Sequence, residues 1–269
     1  MNIILDEVVN ILIFGLIPFL RISAMLLAAP LVSLQVVNVR IRIAFAFLLT
    51  LFFYDQIAIP MVEPLGLEWF VLIIYELMIG ILLALILQIV NAAIVTAGQS
   101  ISMSMGLGMA QTIDPNAGQV PVVSSFLVVL STLIFLSLGG HLFLVELLLQ
   151  SFSAIPIGGG QIDFSSTIWN LIMWSAMAFL GAVLIALPII LLMILVNLCI
   201  GVVTRAAPAL NIFAVGFPAM LLGGLILIVI FMANLGSRIQ WLWLEAFQIA
   251  QNLWVVQIGC KSRRHSRKN

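Results

Sequence analysis

Two ionisable residues lie inside apolar stretches of the sequence, where a charged side chain needs a partner. Arg21 lies in the apolar stretch 8–32 and Glu76 in the apolar stretch 69–97. An ionisable group at membrane depth is costly to bury and normally faces protein or water. The chemistry open to such residues is a proton or ion relay, or a buried ion pair that fixes helix packing. One acid and one base, rather than a chain of acids, favour packing, and we predict that Arg21 and Glu76 contact each other.

The remaining polar residues form no catalytic or metal-binding motif. His141 and Glu146 are five residues apart, which places them on different faces of a helix and does not match the HExxH zinc motif. Lysine is absent before Lys261, so no phosphate-binding lysine loop is present. Cys199 lies in an apolar run, outside any CxxC motif, and is expected to be a small packing residue. The sequence therefore predicts no enzyme activity, no metal site and no cofactor.

The segment 98–121, here called the plug-like segment, differs in composition from the apolar stretches on both sides. It reads GQSISMSMGLGMAQTIDPNAGQVP. Methionine is flexible and fills irregular gaps, and glycine lets backbone segments approach closely. Two interpretations stay open on composition: a deformable seal in a pore, or an ordinary loop, with a turn at Asp114-Pro115. The candidate residues of this segment are Met103, Met105, Gly106, Gly108, Met109, Asp114, Pro115 and Gly118.

Long apolar stretches must position these residues. Of the 269 residues, 64% are apolar and 7% are charged, and the mean hydropathy is +1.31. Soluble globular domains have about 45–50% apolar and about 25% charged residues. A chain of this composition cannot cover its surface with polar groups, which excludes a soluble monomer, a disordered chain, a nucleic-acid binder and a disulfide scaffold. A polytopic membrane protein remains, or a subunit buried in a larger hydrophobic assembly.

The last two apolar runs are longer than a lipid bilayer requires. Residues 167–203 and 209–254 comprise thirty-seven and forty-six residues. As continuous helices they would extend about 55 and 69 Å, whereas a hydrocarbon core is about 30 Å thick. Each run is therefore two elements, with breaks at Pro188 or Gly223-Gly224, or one helix that extends beyond the lipid. We predict that part of the apolar surface is buried against partner subunits, outside the bilayer.

The last fifteen residues, 255–269, form a basic tail unlike the rest of the chain. They contain five of the ten Lys and Arg residues, so residues 1–260 carry five positive and ten negative groups. The tail is either a membrane-surface anchor or foreign to the protein.

Four stretches together resemble the FliR/SctT family of type III secretion export-gate proteins, in its flagellar branch. The resemblance covers roughly residues 5–254, and the Asp114 to Gly118 turn and the Arg205 to Asn211 stretch are its most specific parts. The four stretches are YELMIGILLALILQ at 75–88, GQSISMSMGLGMAQTIDPNAGQVPVVSSF at 98–126, GGHLFLVELLLQSFSAIPIG at 139–158 and RAAPALNIFAVGFP at 205–218.

The resemblance implies an all-α, polytopic helical membrane-associated protein that is built into a helical multi-subunit assembly. Residues 1–165 would be a FliP-like helical part that contains the plug-like segment. Residues 166–254 would be a FliQ-like long helical hairpin, followed by the basic tail 255–269. Arg205 and Pro208 would then lie at the turn of the hairpin.

The resemblance also implies a function. Proteins of this family are core subunits of the flagellar type III protein export gate and form part of the channel for unfolded flagellar proteins. A loop in the middle of the chain plugs the closed channel, and the matching residues here are Met103 to Gly118. The proton gradient and a separate ATPase supply the energy, so the role of the chain is gating rather than catalysis.

The implied partners are FliP-like and FliQ-like export-gate subunits, FlhB-like and FlhA-like proteins, exported unfolded polypeptides and membrane lipid, but no nucleic acid. The implied location is the bacterial inner membrane in the flagellar basal body, with part of the helical assembly on the periplasmic side outside the bilayer. A stand-alone polytopic transporter or channel shares the composition and the buried Arg21 and Glu76, so it stays open as an alternative. An intramembrane enzyme would need two converging catalytic groups, which the sequence does not supply.

Overall fold

The computed structural model is helical throughout the part of the chain that it describes. It describes the backbone of residues 2–28, 38–57, 66–107, 121–158, 164–206 and 212–266, and their side chains except at 2–14, 55, 164, 212–215 and 253–266. No β-strand occurs in these ranges, which confirms the expected all-α, polytopic helical fold class. The described part of the chain contains eight α-helices: α1 (Asn2–Ala28), α2 (Val39–Phe53), α3 (Leu67–Ser104), α4 (Val122–Ser137), α5 (Gly140–Ala154), α6 (Phe164–Ala206), α7 (Ile212–Ile230) and α8 (Met232–Ser266).

Two of the described helices are long and apolar enough to cross a membrane by length and composition. Helices α3 and α6 have 38 and 43 residues, which corresponds to about 57 and 64 Å. A hydrocarbon core needs only about 20 residues. Helix α4 with α5, and α7 with α8, are bent pairs that add up to two further candidate spans if each pair is one span. The long helices therefore have more apolar length than lipid alone requires.

The two over-long apolar runs form different structures. The run 167–203 lies in the single helix α6, which Pro188 does not interrupt. Buried neighbours such as Ile185 and Ile189 hold the helix on both sides of this proline, which offsets the lost backbone hydrogen bond.

The run 209–254 is instead divided at Phe231, between α7 and α8, and the two helices are bent by 63°. Gly223-Gly224 lies inside α7, so the break falls elsewhere than at this candidate position. The bend coincides with a change from the wholly apolar sequence of α7 to the mixed polar and apolar sequence of α8. The backbone of the basic tail continues α8 as far as Ser266.

Large apolar side chains are exposed along most of α6, whereas its buried stripe is narrow. Small or medium residues at helical spacing, including Ala178, Ala182, Ile189 and Met193, form this stripe. Cys199, expected to be a small packing residue, lies beyond the stripe and is exposed among the described residues. The exposed surface of α6 requires lipid or another protein to cover it.

By its packing the chain divides into two compact units. In the first unit, the buried indole of Trp174 donates a hydrogen bond to the carbonyl of Ile86 at 3.3 Å. In the second unit, Trp243 donates to Ser131 Oγ at 2.9 Å, and its ring meets Phe135 at a centroid distance of 4.6 Å. The first unit contains Met1–Ile89, Gly140–Trp174 and Ala246–Asn269, and the second contains Val90–Gly139 and Ser175–Glu245.

Candidate functional site

The structure places the two ionisable residues of the apolar stretches in contact, between α1 and α3 in the first unit. Arg21 Nε donates to Glu76 Oε2 at 2.5 Å, and Arg21 Nη2 donates to Glu76 Oε1 at 2.9 Å. Both side chains are fully buried. Two parallel charge-assisted hydrogen bonds fix the relative orientation of a guanidinium and a carboxylate. The pair therefore fixes α1 against α3.

Arg21 also reaches a third helix of the first unit. Its Nη1 donates to Ser151 Oγ at 3.3 Å and its Nη2 to the carbonyl of Ile155 at 3.1 Å. The guanidinium carbon lies 4.2 Å from the ring centroid of Phe152. Carbonyls at the end of a helix lack partners within the helix, so Arg21 satisfies one at the end of α5. These contacts join α1, α3 and α5, which is the arrangement of a packing residue.

A glycine lets α1 and α3 approach closely beside this pair. Gly80 lies one turn after Glu76 in α3. A Cβ atom on Gly80 would lie 2.5 Å from the carbonyl oxygen of Arg21 and 2.8 Å from the Cβ of Ala24. Both are atoms that cannot move without shifting α1.

We expect Gly80→Ala to destabilise the protein by about 1–3 kcal/mol, the usual cost of overpacking. The matched control is Gly236→Ala in α8, where an added Cβ meets nothing within 4 Å. That change should be neutral or stabilising by up to about 1 kcal/mol, because alanine favours the helix. The measurement is the midpoint of thermal unfolding of the purified protein in detergent. Equal midpoints for the two variants would contradict the close approach of α1 and α3.

The first part of the plug-like segment belongs to α3. The helix continues to Ser104, so residues 98–104 are helical rather than looped. Ser100 and Ser104 donate their hydroxyls to carbonyls of the same helix, which satisfies them in an apolar environment. Met103, Met105 and Gly106 are described, whereas the candidates outside the described residues are Gly108, Met109, Asp114, Pro115 and Gly118.

A glycine turn ends α3 inside the plug-like segment. Gly106 has φ +80°, and the amide of Leu107 donates to the carbonyl of Ser102 at 3.1 Å. This is the hydrogen bond of a Schellman motif, in which glycine adopts the left-handed conformation at little cost. The turn fixes the position at which the chain leaves α3.

Helix α7 packs against this turn in the second unit. The side chain of Met105 is buried, and a Cβ atom on Gly224 would lie 2.5 Å from its Cγ and Cε. Phe217 and Met220 of the same helix lie beside Gly106. From the sequence, Gly223-Gly224 was expected only as a break. The available signal was a glycine pair inside an apolar run, where glycine is unfavourable unless something packs closely.

Of the two hairpin-turn candidates, Arg205 is described and Pro208 lies outside the described residues. Arg205 is exposed in the last turn of α6. A cation at this end of a helix interacts favourably with the helix dipole.

A groove of about 300 Å³ lies between α3 and α6 in the second unit, and its lining is almost wholly apolar. The two hydroxyls in the lining, Thr96 and Ser100, already donate to carbonyls of α3. The groove therefore suits an apolar side chain or an acyl chain better than a polar solute. Within the described residues, no group of three or more His, Cys, Asp or Glu could hold a metal ion.

Comparison with known proteins confirms the resemblance that the motifs indicate. Residues 12–246 match the model of the bacterial export proteins, family 1. The chain is 32% identical over 237 residues to the flagellar biosynthetic protein FliR of Pectobacterium carotovorum subsp. carotovorum and to that of Escherichia coli K12. In both cases the match covers 88% of this chain and 90% of the relative.

The protein of the same name from Aquifex aeolicus is 34% identical over 220 residues, which cover 81% of this chain and 85% of the relative. The family match at residues 12–246 includes α3, the plug-like segment and α6. The chain therefore belongs to family 1 of the bacterial export proteins, together with flagellar biosynthetic proteins named FliR.

Proposed function

We propose that this component of the flagellar export apparatus is a core subunit of the type III protein export gate. In this role it forms part of the channel, and its plug, for export of unfolded flagellar proteins. The observation that carries the proposal is the match to the export family over residues 12–246, with relatives named for flagellar biosynthesis. The apolar surface of α6 supports it, because a 43-residue helix has about twice the length that lipid covers.

The plug in this proposal is the stretch from Met103 to Gly118. In the resting gate its methionine and glycine residues fill the pore by van der Waals packing and exclude water. An exported polypeptide displaces the stretch during export. This displacement costs little free energy, because methionine side chains repack easily. The buried Met105 and the glycine turn at Gly106 support this role, since they give the stretch a fixed base on α3.

The assembly in this proposal joins two kinds of helical part in one chain. Residues 1–165 are FliP-like, residues 166–254 form a FliQ-like hairpin with Arg205 and Pro208 at its turn, and the basic tail 255–269 follows. FliP-like and FliQ-like subunits cover the exposed apolar helices, and FlhA-like and FlhB-like proteins engage the gate. The location is the inner membrane in the flagellar basal body, with part of the assembly outside the bilayer.

A stand-alone transporter or channel has less support. Its substrate site would need polar groups aimed into a cavity, whereas the hydroxyls that line the α3–α6 groove are bonded within α3. Arg21 and Glu76 are likewise engaged with each other.

The proposal is tested by deleting the gene in the organism that encodes it and assaying flagellar proteins in the culture medium. Export of flagellar subunits should stop, whereas secretion through other pathways continues. The wild-type gene should restore export. A matched complementing variant truncated after residue 254 should also restore it, because the tail lies outside the family match at 12–246. Undiminished flagellar export in the deletion strain would refute the proposal.

A further inference from the structure

The geometry points to Gly224 as a positioning residue for the plug: its missing side chain creates the notch in α7 that seats Met105. The seated Met105 holds the base of the plug-like segment in one orientation. This inference rests on the proposed function, because the segment must be the plug for its base to matter to the seal.

Of the two methionines of the segment that the structure describes, only Met105 lies in the notch. Met105 is 1% exposed, whereas Met103, two residues earlier in the same helical turn, is 70% exposed. A Cβ atom on Gly224 would lie 2.5 Å from Cγ, 2.5 Å from Cε and 2.7 Å from Sδ of Met105. Real Cβ contacts are not this short, so any residue other than glycine at this position forces the Met105 side chain to shift.

The buried Met105 lies at the point where the chain turns away from α3. Met105 directly precedes Gly106, whose left-handed conformation ends α3. Phe217 and Met220 of α7 lie beside this turn, with Met220 Cε 3.5 Å from the position of a Cβ on Gly106. Because Met105 and Gly106 are adjacent in sequence, moving Met105 out of the notch shifts the turn at which the chain leaves α3.

A hydrogen bond from α6 also holds the end of α3. The side-chain amide of Asn197 donates to the carbonyl of Ser104 at 3.4 Å. Carbonyls in the last turn of a helix have no partner within it. The end of α3 is therefore held by α7 through Met105 and by α6 through Asn197.

The chain offers a matched control beside the notch. A Cβ atom on Gly223 would meet only Val196 Cγ1, at an ordinary 3.7 Å. Gly223→Ala and Gly224→Ala therefore make the same chemical change at adjacent positions of one helix, and only the second displaces Met105.

The experiment introduces Gly224→Ala, Met105→Ala, the double variant and Gly223→Ala into the full chain in its native membrane. The readouts are the thermal unfolding midpoint of the purified complex and sodium entry into resting cells. Gly224→Ala should lower the midpoint and raise sodium entry, and Gly223→Ala should change neither. In the double variant the alanine at 224 fills space that the Met105 side chain vacates. Its unfolding midpoint should therefore be higher, and its sodium entry lower, than the summed effects of the two single changes predict.

Each outcome decides between positioning and simple packing. Additive effects, or equal effects of Gly223→Ala and Gly224→Ala, would overturn the notch. Coupled stability with unchanged sodium entry would overturn the positioning role. If Gly224→Ala abolishes folding, recovery of the complex in the double variant supports the notch, and its continued absence refutes it. The proposed function is tested separately by the subunit composition of the purified wild-type complex. A complex without FliP-like and FliQ-like subunits would refute the proposed function.

Discussion

Glu76→Gln should destabilise the protein by about 3–5 kcal/mol, because it leaves a buried guanidinium without its carboxylate. Arg21 and Glu76 are both fully buried, and their two hydrogen bonds join α1 to α3. The neutral amide keeps the shape of the side chain but not its charge. The measurement is the free energy of unfolding of the purified protein, or its level in the membrane.

The matched control for this change is Glu68→Gln in the first turn of the same helix. Glu68 is exposed, so its neutralisation should change stability by no more than about 0.5 kcal/mol. A loss as large as that of Glu76→Gln would show that charge on α3, and not the buried pair, is what matters.

Two double variants separate the pair from its individual charges. Exchanging the residues, as Arg21→Glu with Glu76→Arg, should recover part of the stability that each single reversal removes. Arg21→Met with Glu76→Met should recover more, because apolar residues often replace a buried ion pair without loss. Neither should reach wild type, since Ser151 and the Ile155 carbonyl lose their donor. Double variants no better than the single ones would contradict the pairing.

Deleting residues 106–113 should leave the complex assembled while making resting cells permeable to small ions. The deletion removes the glycine turn at Gly106 and the adjoining residues of the proposed plug up to 113, and it leaves the eight described α-helices in place. The measurement combines recovery of the complex from membranes with sodium entry and membrane potential.

The control for the deletion is removal of the basic tail 255–269, which lies outside the family match. This truncation should leave both the complex and the ion barrier intact. An assembled 106–113 deletion with an intact barrier would refute the plug, because the seal would then lie elsewhere.

The charged pair could be predicted from the sequence, whereas its surroundings could not. Arg21 and Glu76 stand out because each interrupts an apolar stretch, and mutual pairing is the least costly way to bury them. Ser151 and the backbone carbonyl of Ile155 carry no comparable signal. Serine is common in apolar helices, and every residue has a carbonyl, so only the packing of α5 reveals these partners.

Helix ends and breaks were predictable in part. The composition of the plug-like segment marked a change in structure, but α3 continues to Ser104, where the serine hydroxyl donates to a carbonyl of its own helix. Pro188 stays inside α6, and the last run bends at Phe231 rather than at its glycines. Gly224 serves the packing of Met105 instead. The local sequence indicates candidate positions for helix breaks, but contacts between helices determine which of these positions bend.

The most direct test of the central claim is affinity purification of the tagged chain from native membranes, followed by mass spectrometry of intact complexes. An export-gate subunit should be recovered with FliP-like and FliQ-like polytopic proteins in a fixed ratio. Recovery of the chain alone, or as a homo-oligomer that transports a solute in liposomes, would contradict the claim.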